Sequence, residues 1–167
     1  MKNVLVVYFS ATGATMRLAE KIAETLDADI FEIKPVVKYT NEDLKWPSKD
    51  NRSFIEMKNK NFRPRVLNKL KNVDDYDTIF LGFPIWYDTA PTIVNTFIEE
   101  NNLVGKDAYV FATSGVTGVD KSLKDLRNAY PYMTFISGKR FNGKFYPKDF
   151  LNWINDVAWW FWNNRWD

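Results

Sequence analysis

An α/β fold built on a doubly wound, five-stranded parallel sheet is predicted for this 167-residue chain by three features. Strand-like apolar runs alternate with helical stretches along the sequence, which places helices over both faces of a parallel sheet. The first and third runs, NVLVVYF (3–9) and DTIFLGF (77–83), are apolar at consecutive positions, as in strands buried on both faces. Finally, glycines, hydroxyls and aromatics gather just after these runs, at the carboxyl ends of the strands, where such sheets bind ligands.

Each element has its own signal. ATMRLAEKIAETL (14–26) repeats Leu18, Ile22 and Leu26 at helical spacing, with Ala19 and Ala23 beside them. ADIFEIK (28–34) alternates Ile30, Glu32 and Lys34 against Phe31 and Ile33, the pattern of a strand near an edge. PTIVNTFIEE (91–100) is a helix with proline in its first turn. DAYVFATS (107–114) is the fourth strand, DKSLKDLRNAY (120–130) a helix, and YMTFISGKRF (132–141) contains the fifth strand. PKDFLNWINDVAWWFW (147–162) is the last helix. Residues 35–73, polar and broken by Pro47 and Pro64, are expected to be mostly loop, although the stretch 65–71 could hold a short helix.

Length and composition suit one domain over 1–167. With no cysteine and no histidine, disulfides, zinc sites of the usual kinds, thiol catalysis and Ser-His-Asp hydrolysis are excluded. A net charge of +2 gives no field pointing to nucleic acid or membrane. Locally, residues 34–71 carry eleven Lys/Arg against four Asp/Glu, either a solvated face or a docking surface for an acidic partner. The opening MKNVLVVYFS is too soon interrupted for a signal peptide, so a cytoplasmic location is expected.

The strand ends carry the chemistry. After the first strand, SATGAT (10–15) sets three hydroxyls around Gly13 where a helix begins. Converging N–H groups at a helix N-terminus make an anion seat, although a single Ser or Thr there could simply cap the helix. After the third, FPIWYDTAP (83–91) exposes Trp86 and Tyr87, either to a planar ligand or to the 35–73 segment. After the fourth, ATSGVTG (112–118) offers small side chains and accessible N–H groups. Together these describe a site for a phosphorylated, flat, aromatic ligand. A receiver domain of the phosphoaspartate type needs an acidic cluster after the first strand; here that end reads FSAT.

YFSATGAT resembles the phosphate loop of flavodoxins, with the pattern T/S-x-T-G-N-T, and GFPIWYDTAP and FATSG resemble the two flavin-contacting loops of flavodoxin-like proteins. The resemblance runs over about residues 3–138, in the family's order. It implies a flavodoxin-like sheet of order 2-1-3-4-5 that binds FMN non-covalently. It further implies that Ser10, Thr12 and Thr15 hold the phosphate, with the N–H groups of Ala11, Thr12, Gly13, Ala14 and Thr15. Pro84, Ile85, Trp86 and Tyr87 would line the isoalloxazine, Trp86 over its face. Asp88, the one acidic residue of these loops, would oppose negative charge on the ring, unless it caps the following helix. Thr113, Ser114 and Gly115 would meet the pyrimidine edge, with Gly118 nearby. Ala14 stands where the family usually has Asn, and this chain lacks the strong acidity typical of electron-carrier flavodoxins.

Two functions follow from the resemblance: an FMN-dependent oxidoreductase, of NAD(P)H:quinone type, passing electrons from a reduced donor to a quinone-like or protein acceptor, or a non-enzymatic electron carrier between protein partners. In the last helix Phe150, Trp153, Ile154, Val157 and Phe161 form one stripe, leaving Trp159, Trp160, Trp162 and Trp166 in surplus. These would pack on residues 35–73 or form a homodimer contact.

Overall fold

The structure, a computed structural model, describes residues 3–163. Five strands, β1 (Val4–Tyr8), β2 (Asp29–Glu32), β3 (Thr78–Pro84), β4 (Asp107–Thr113) and β5 (Thr134–Phe141), form one all-parallel sheet in the order β2-β1-β3-β4-β5. Helices α1 (Ala14–Leu26), α3 (Thr92–Glu100), α4 (Asp120–Ala129) and α5 (Pro147–Asn163) follow β1, β3, β4 and β5, so the expected elements and strand order are observed. The order doubles back between β1 and β3, which fixes the ligand-binding end of the sheet.

The strand period of two divides the core. Leu5, Val7 and Phe9 face one side, with Ile93, Phe97, Leu123 and Leu126 of α3 and α4. Val4, Val6 and Tyr8 face the other, with Leu18 and Ile22 of α1 and Phe150 and Ile154 of α5. Strand β2 is a short edge with Ile30 exposed, as its alternation predicts.

Residues 35–73 are mostly loop, as expected. No helix forms at 65–71: Val66 bridges Pro35 in antiparallel fashion, and the Lys34 carbonyl accepts the Leu67 N–H at 2.7 Å. The returning chain thus satisfies main-chain groups just beyond the sheet edge, while the Asn68 amide binds the Glu32 carbonyl at 2.8 Å. A helix lies further upstream instead, α2 (Arg52–Lys58). Asn51 caps it by accepting the Phe54 N–H at 2.9 Å, and an Arg52–Glu56 pair spans one turn.

The α5 stripe is also observed: Phe150 and Ile154 are buried, and Trp153, Val157 and Phe161 are partly buried. Trp153 packs on Tyr109, Phe141 and Phe150. Among the described residues, none of segment 35–73 joins the core cluster that holds Phe150 and Ile154. The segment's Tyr39, Val66 and Leu70 pack on the opposite, α3/α4 side of the sheet. Trp159 and Trp160 are 69% and 62% exposed, while the Trp162 side chain and Trp166 lie outside the described residues. No helix of the described residues is long and apolar enough to cross a membrane.

One polar network ties residue 63 to the helices. The Arg63 guanidinium binds both carboxylate oxygens of Glu99 at 2.8 Å, and the Tyr130 hydroxyl donates to one of them. The hydrogen bond from Arg63 holds the Glu99 carboxyl below the usual carboxylate range; partial burial opposes this, and Tyr130 reinforces it. Because the folded pKa is depressed, this stabilisation is present above the unfolded value, about 4.3, and is lost as pH falls through the folded one. Glu99→Gln, which cannot titrate, should therefore melt below wild type at neutral pH, and the gap should close below about pH 4. A gap independent of pH would rule out the ionic contribution.

Candidate functional site

The loop after β1 is built by its own hydroxyls and glycine. Ser10 Oγ accepts the Gly13 N–H at 3.0 Å, closing the turn beneath the helix. Gly13 adopts φ +88°, the left-handed conformation that glycine enters without a Cβ penalty. A Cβ at Gly13 would also stand 3.0 Å from Nη1 of Arg17, so the glycine leaves room for that guanidinium above the loop. No side chain caps α1, so the simple capping explanation for Ser10 or Thr12 does not hold. No side chain of the described residues therefore caps the first-turn N–H groups, which have no intrahelical partner. Thr12 and Ala14 are exposed, Ala11 is half-buried, and Thr15 is buried with its hydroxyl 2.8 Å from that of Thr113.

After β3, the Ile85 N–H donates to the Thr113 carbonyl at 3.0 Å, directly beyond Pro84. Trp86 and Thr89 then exchange two backbone hydrogen bonds at 3.0 and 3.1 Å across a two-residue turn. Tyr87 and Asp88, at its tip, both have positive φ, 47° and 68°. Neither is glycine, so the turn carries strain of about 1 kcal/mol or more per residue, and such strain is concentrated at functional loops. Trp86 meets Phe9 and Tyr39 edge-on, at ring-centroid distances of 5.5 and 5.1 Å. Tyr87 meets Trp46 and Phe54 at 5.5 and 5.4 Å. Both rings therefore have partners from residues 35–73 and remain half-buried. Asp88 is exposed and accepts a long hydrogen bond, 3.4 Å, from Thr117; Pro91, not Asp88, occupies the cap of α3.

After β4, Ser114 Oγ accepts the Val116 N–H. Arg140 Nη1 and Asn142 Nδ2 both bind the Gly115 carbonyl, at 3.1 and 3.0 Å, and Arg140 also binds that of Val116. A side chain added at Gly115 would meet nothing within 4 Å, and one at Gly118 only the Asp120 carboxylate at 3.7 Å. What Gly115 contributes is open space.

The three loops are thus joined at Thr113, whose hydroxyl pairs with Thr15 and whose carbonyl holds Ile85, while Thr117 reaches Asp88. Beside them lies a cavity of about 420 Å³ lined by Ala14, Thr113, Ser114 and Gly115, with Arg17 and Lys21 as its cations and no carboxylate. Sequence reading missed Arg17, Lys21, Arg140 and Asn142. Arg17 stands four residues after the loop glycine, which is the one trace in the sequence of its place above the turn.

An uncapped helix N-terminus, a guanidinium over a glycine turn and two further loops at the switch point define an α/β protein that binds an anionic, phosphate-type ligand. The sequence profile of the flavodoxin family matches residues 3–157, and the chain belongs to that family. It is similar to a protein from Bacteroides eggerthii DSM 20697 assigned as a flavoprotein, with 40% identity and a TM-score of 0.91 over 95% of this chain and 99% of the other. A Bacteroides uniformis ATCC 8492 protein, likewise assigned as a flavoprotein, shares 42% identity with a TM-score of 0.87, over 92% and 98% of the two chains. A flavoprotein of Lactobacillus acidophilus NCFM, solved in complex with FMN, shares the fold at 21% identity and a TM-score of 0.68, covering 84% of this chain and 93% of its own. No match was found among curated proteins.

Proposed function

We propose that this chain binds FMN at the three joined loops and serves as an oxidoreductase, moving electrons between a reduced donor and a small, quinone-like or protein acceptor. The observation that carries the reading is the uncapped α1 start beneath Arg17, held against the β3 and β4 loops through Thr113. FMN, when bound, supplies the electron-accepting ring. In this reading Ser10, Thr12 and Thr15, the N–H groups from Ala11 to Thr15, and Arg17 hold the phosphate. Pro84, Ile85, Trp86 and Tyr87 form the ring wall, and Thr113, Ser114 and Gly115, fixed by Arg140 and Asn142, meet the polar edge. Asp88 and Gly118 stand at the margin.

Comparing FMN with riboflavin tests the phosphate seat. Hydrogen bonds to a charged group contribute about 1.5–3 kcal/mol each, so riboflavin should bind at least about tenfold more weakly. Arg17→Glu should weaken FMN and leave riboflavin unchanged, both read as dissociation constants by flavin fluorescence. Equal affinity for the two flavins would overturn the reading. Supplying NAD(P)H and a quinone to the FMN-loaded protein then separates enzyme from carrier: turnover by the protein alone identifies an enzyme.

A further inference from the structure

A second cavity, of about 490 Å³, lies on the β2 side of the loop after β1 and shares no lining residue with the one beside Thr113. Ser10 and Ala11 form its wall toward the loop, and Phe9, Pro35, Tyr39 and Leu67 give it apolar surfaces. Its charged groups are Lys34, Lys38 and Glu32. Glu32 pairs with Lys34 at 3.6 Å, whereas Lys38 has no ion-pair partner among the described residues, so the lining is positive on balance. This arrangement is built rather than incidental. The Lys34 N–H is held by Asn68 at 3.1 Å, and Arg52 grips the carbonyls of Val37 and Lys38. Arg52 also covers one face of the Tyr39 ring at 3.9 Å, while the Tyr39 hydroxyl is bound to Glu56. Phe9 is fully buried beneath. The size falls in the range of small-molecule sites, and the lining offers both apolar surface and fixed polar groups.

We propose that this cavity binds a small aromatic monoanion, its ring against Pro35, Tyr39 and Leu67 and its carboxylate or sulfonate toward Lys38 and Lys34. The cavity borders the proposed phosphate seat through Ser10 and Ala11, so it is tested on the protein with and without FMN, the loaded form keeping an anionic probe out of that seat.

The experiment is an amide-resolved NMR titration with 1-naphthalenesulfonate, set against the uncharged 1-naphthalenemethanol. Saturable shifts are expected at Ser10, Ala11, residues 34–39 and Leu67, with the sulfonate tighter by about fivefold, the upper range for an exposed charge pair. Lys34→Glu with Lys38→Glu, both exposed positions, should weaken it roughly tenfold or more. Leu67→Glu, at an exposed rim position, should repeat the loss without altering a buried group. The FMN dissociation constant should not move in either variant. Shifts confined to residues 10–15, 86–88 and 113–118, without residues 34–39 and Leu67, would place the probe in the flavin loops and overturn the proposal. Equal affinity for the neutral compound, or binding unchanged in the variants, would overturn it as well.

Discussion

Gly82→Ala is expected to destabilise the protein by about 3 kcal/mol, lowering its melting temperature by roughly 6–12 °C. A Cβ at Gly82 would stand 2.0 and 2.1 Å from Cζ and Cε2 of Phe111. Phe111 is the register partner of Gly82 on β4 and is fully buried on the α1/α5 side of the sheet. The neighbouring Phe80 and Tyr109 rings stack at 5.0 Å, so the Phe111 ring has little room to swing aside. Interiors packed at crystal density turn such a conflict into backbone movement or an expelled ring. The movement would reach the site: the Gly82 carbonyl accepts the Phe9 N–H just before Ser10, and β3 runs on to Pro84. A double-mutant cycle isolates the cause. Combined with Phe111→Leu, which makes room, Gly82→Ala should cost clearly less than it does alone, in urea unfolding. Additive losses would show that Phe111 is not the obstacle.

The sequence announces parts of this molecule unequally, for physical reasons. The sheet was legible because β1 and β3 are apolar on both faces and α1 repeats its leucine and isoleucine at helical spacing. The turn after β1 was legible because Ser10, Gly13 and Thr15 are neighbours in the chain. Arg17 was not, since an arginine on an exposed helix position looks like any other surface cation until the Gly13 turn brings it overhead. Arg140 and Asn142 reach Gly115 from about 25 residues away in sequence, a pairing that only strand order creates. Residues 35–73 hid the most. Their helix is seven residues long, too short for a clear apolar period, and its start rests on the single Asn51 cap. The ring contacts of Trp86 with Tyr39 and of Tyr87 with Trp46 and Phe54 likewise form across long stretches of polar chain.

That segment rests on a clamp, and removing its centre should release it. Glu56 is buried, accepting from the Tyr39 hydroxyl on one oxygen and from Arg52 Nε at 2.6 Å on the other. Burial first, and the bond to Glu56 second, raise the Tyr39 pKa well above its ordinary value, so the phenol stays protonated and donating. A raised folded pKa stabilises below the unfolded value, about 10, and that contribution is lost as pH rises beyond it. Glu56→Ala leaves the Tyr39 hydroxyl without its acceptor and Arg52 without its carboxylate. Breaking such a pair costs about 3 kcal/mol, the lower end of the buried range, because the Arg52 side chain retains 24% exposure. Since the sheet core is untouched, the loss should appear as local opening and not as global unfolding. Amide exchange in α2 should quicken by roughly a hundredfold, and trypsin should cut at Lys45, Lys49 or Lys58, while exchange in β1 and β3 stays unchanged. Because the Tyr39 ring backs Trp86, FMN affinity should fall in parallel if Trp86 belongs to the ring wall. Glu56→Gln, which keeps an acceptor for Tyr39 but no charge for Arg52, should fall between the two. Unaltered α2 exchange in Glu56→Ala would mean that the aromatic packing of Tyr39, Trp46 and Phe54 alone holds the segment in place.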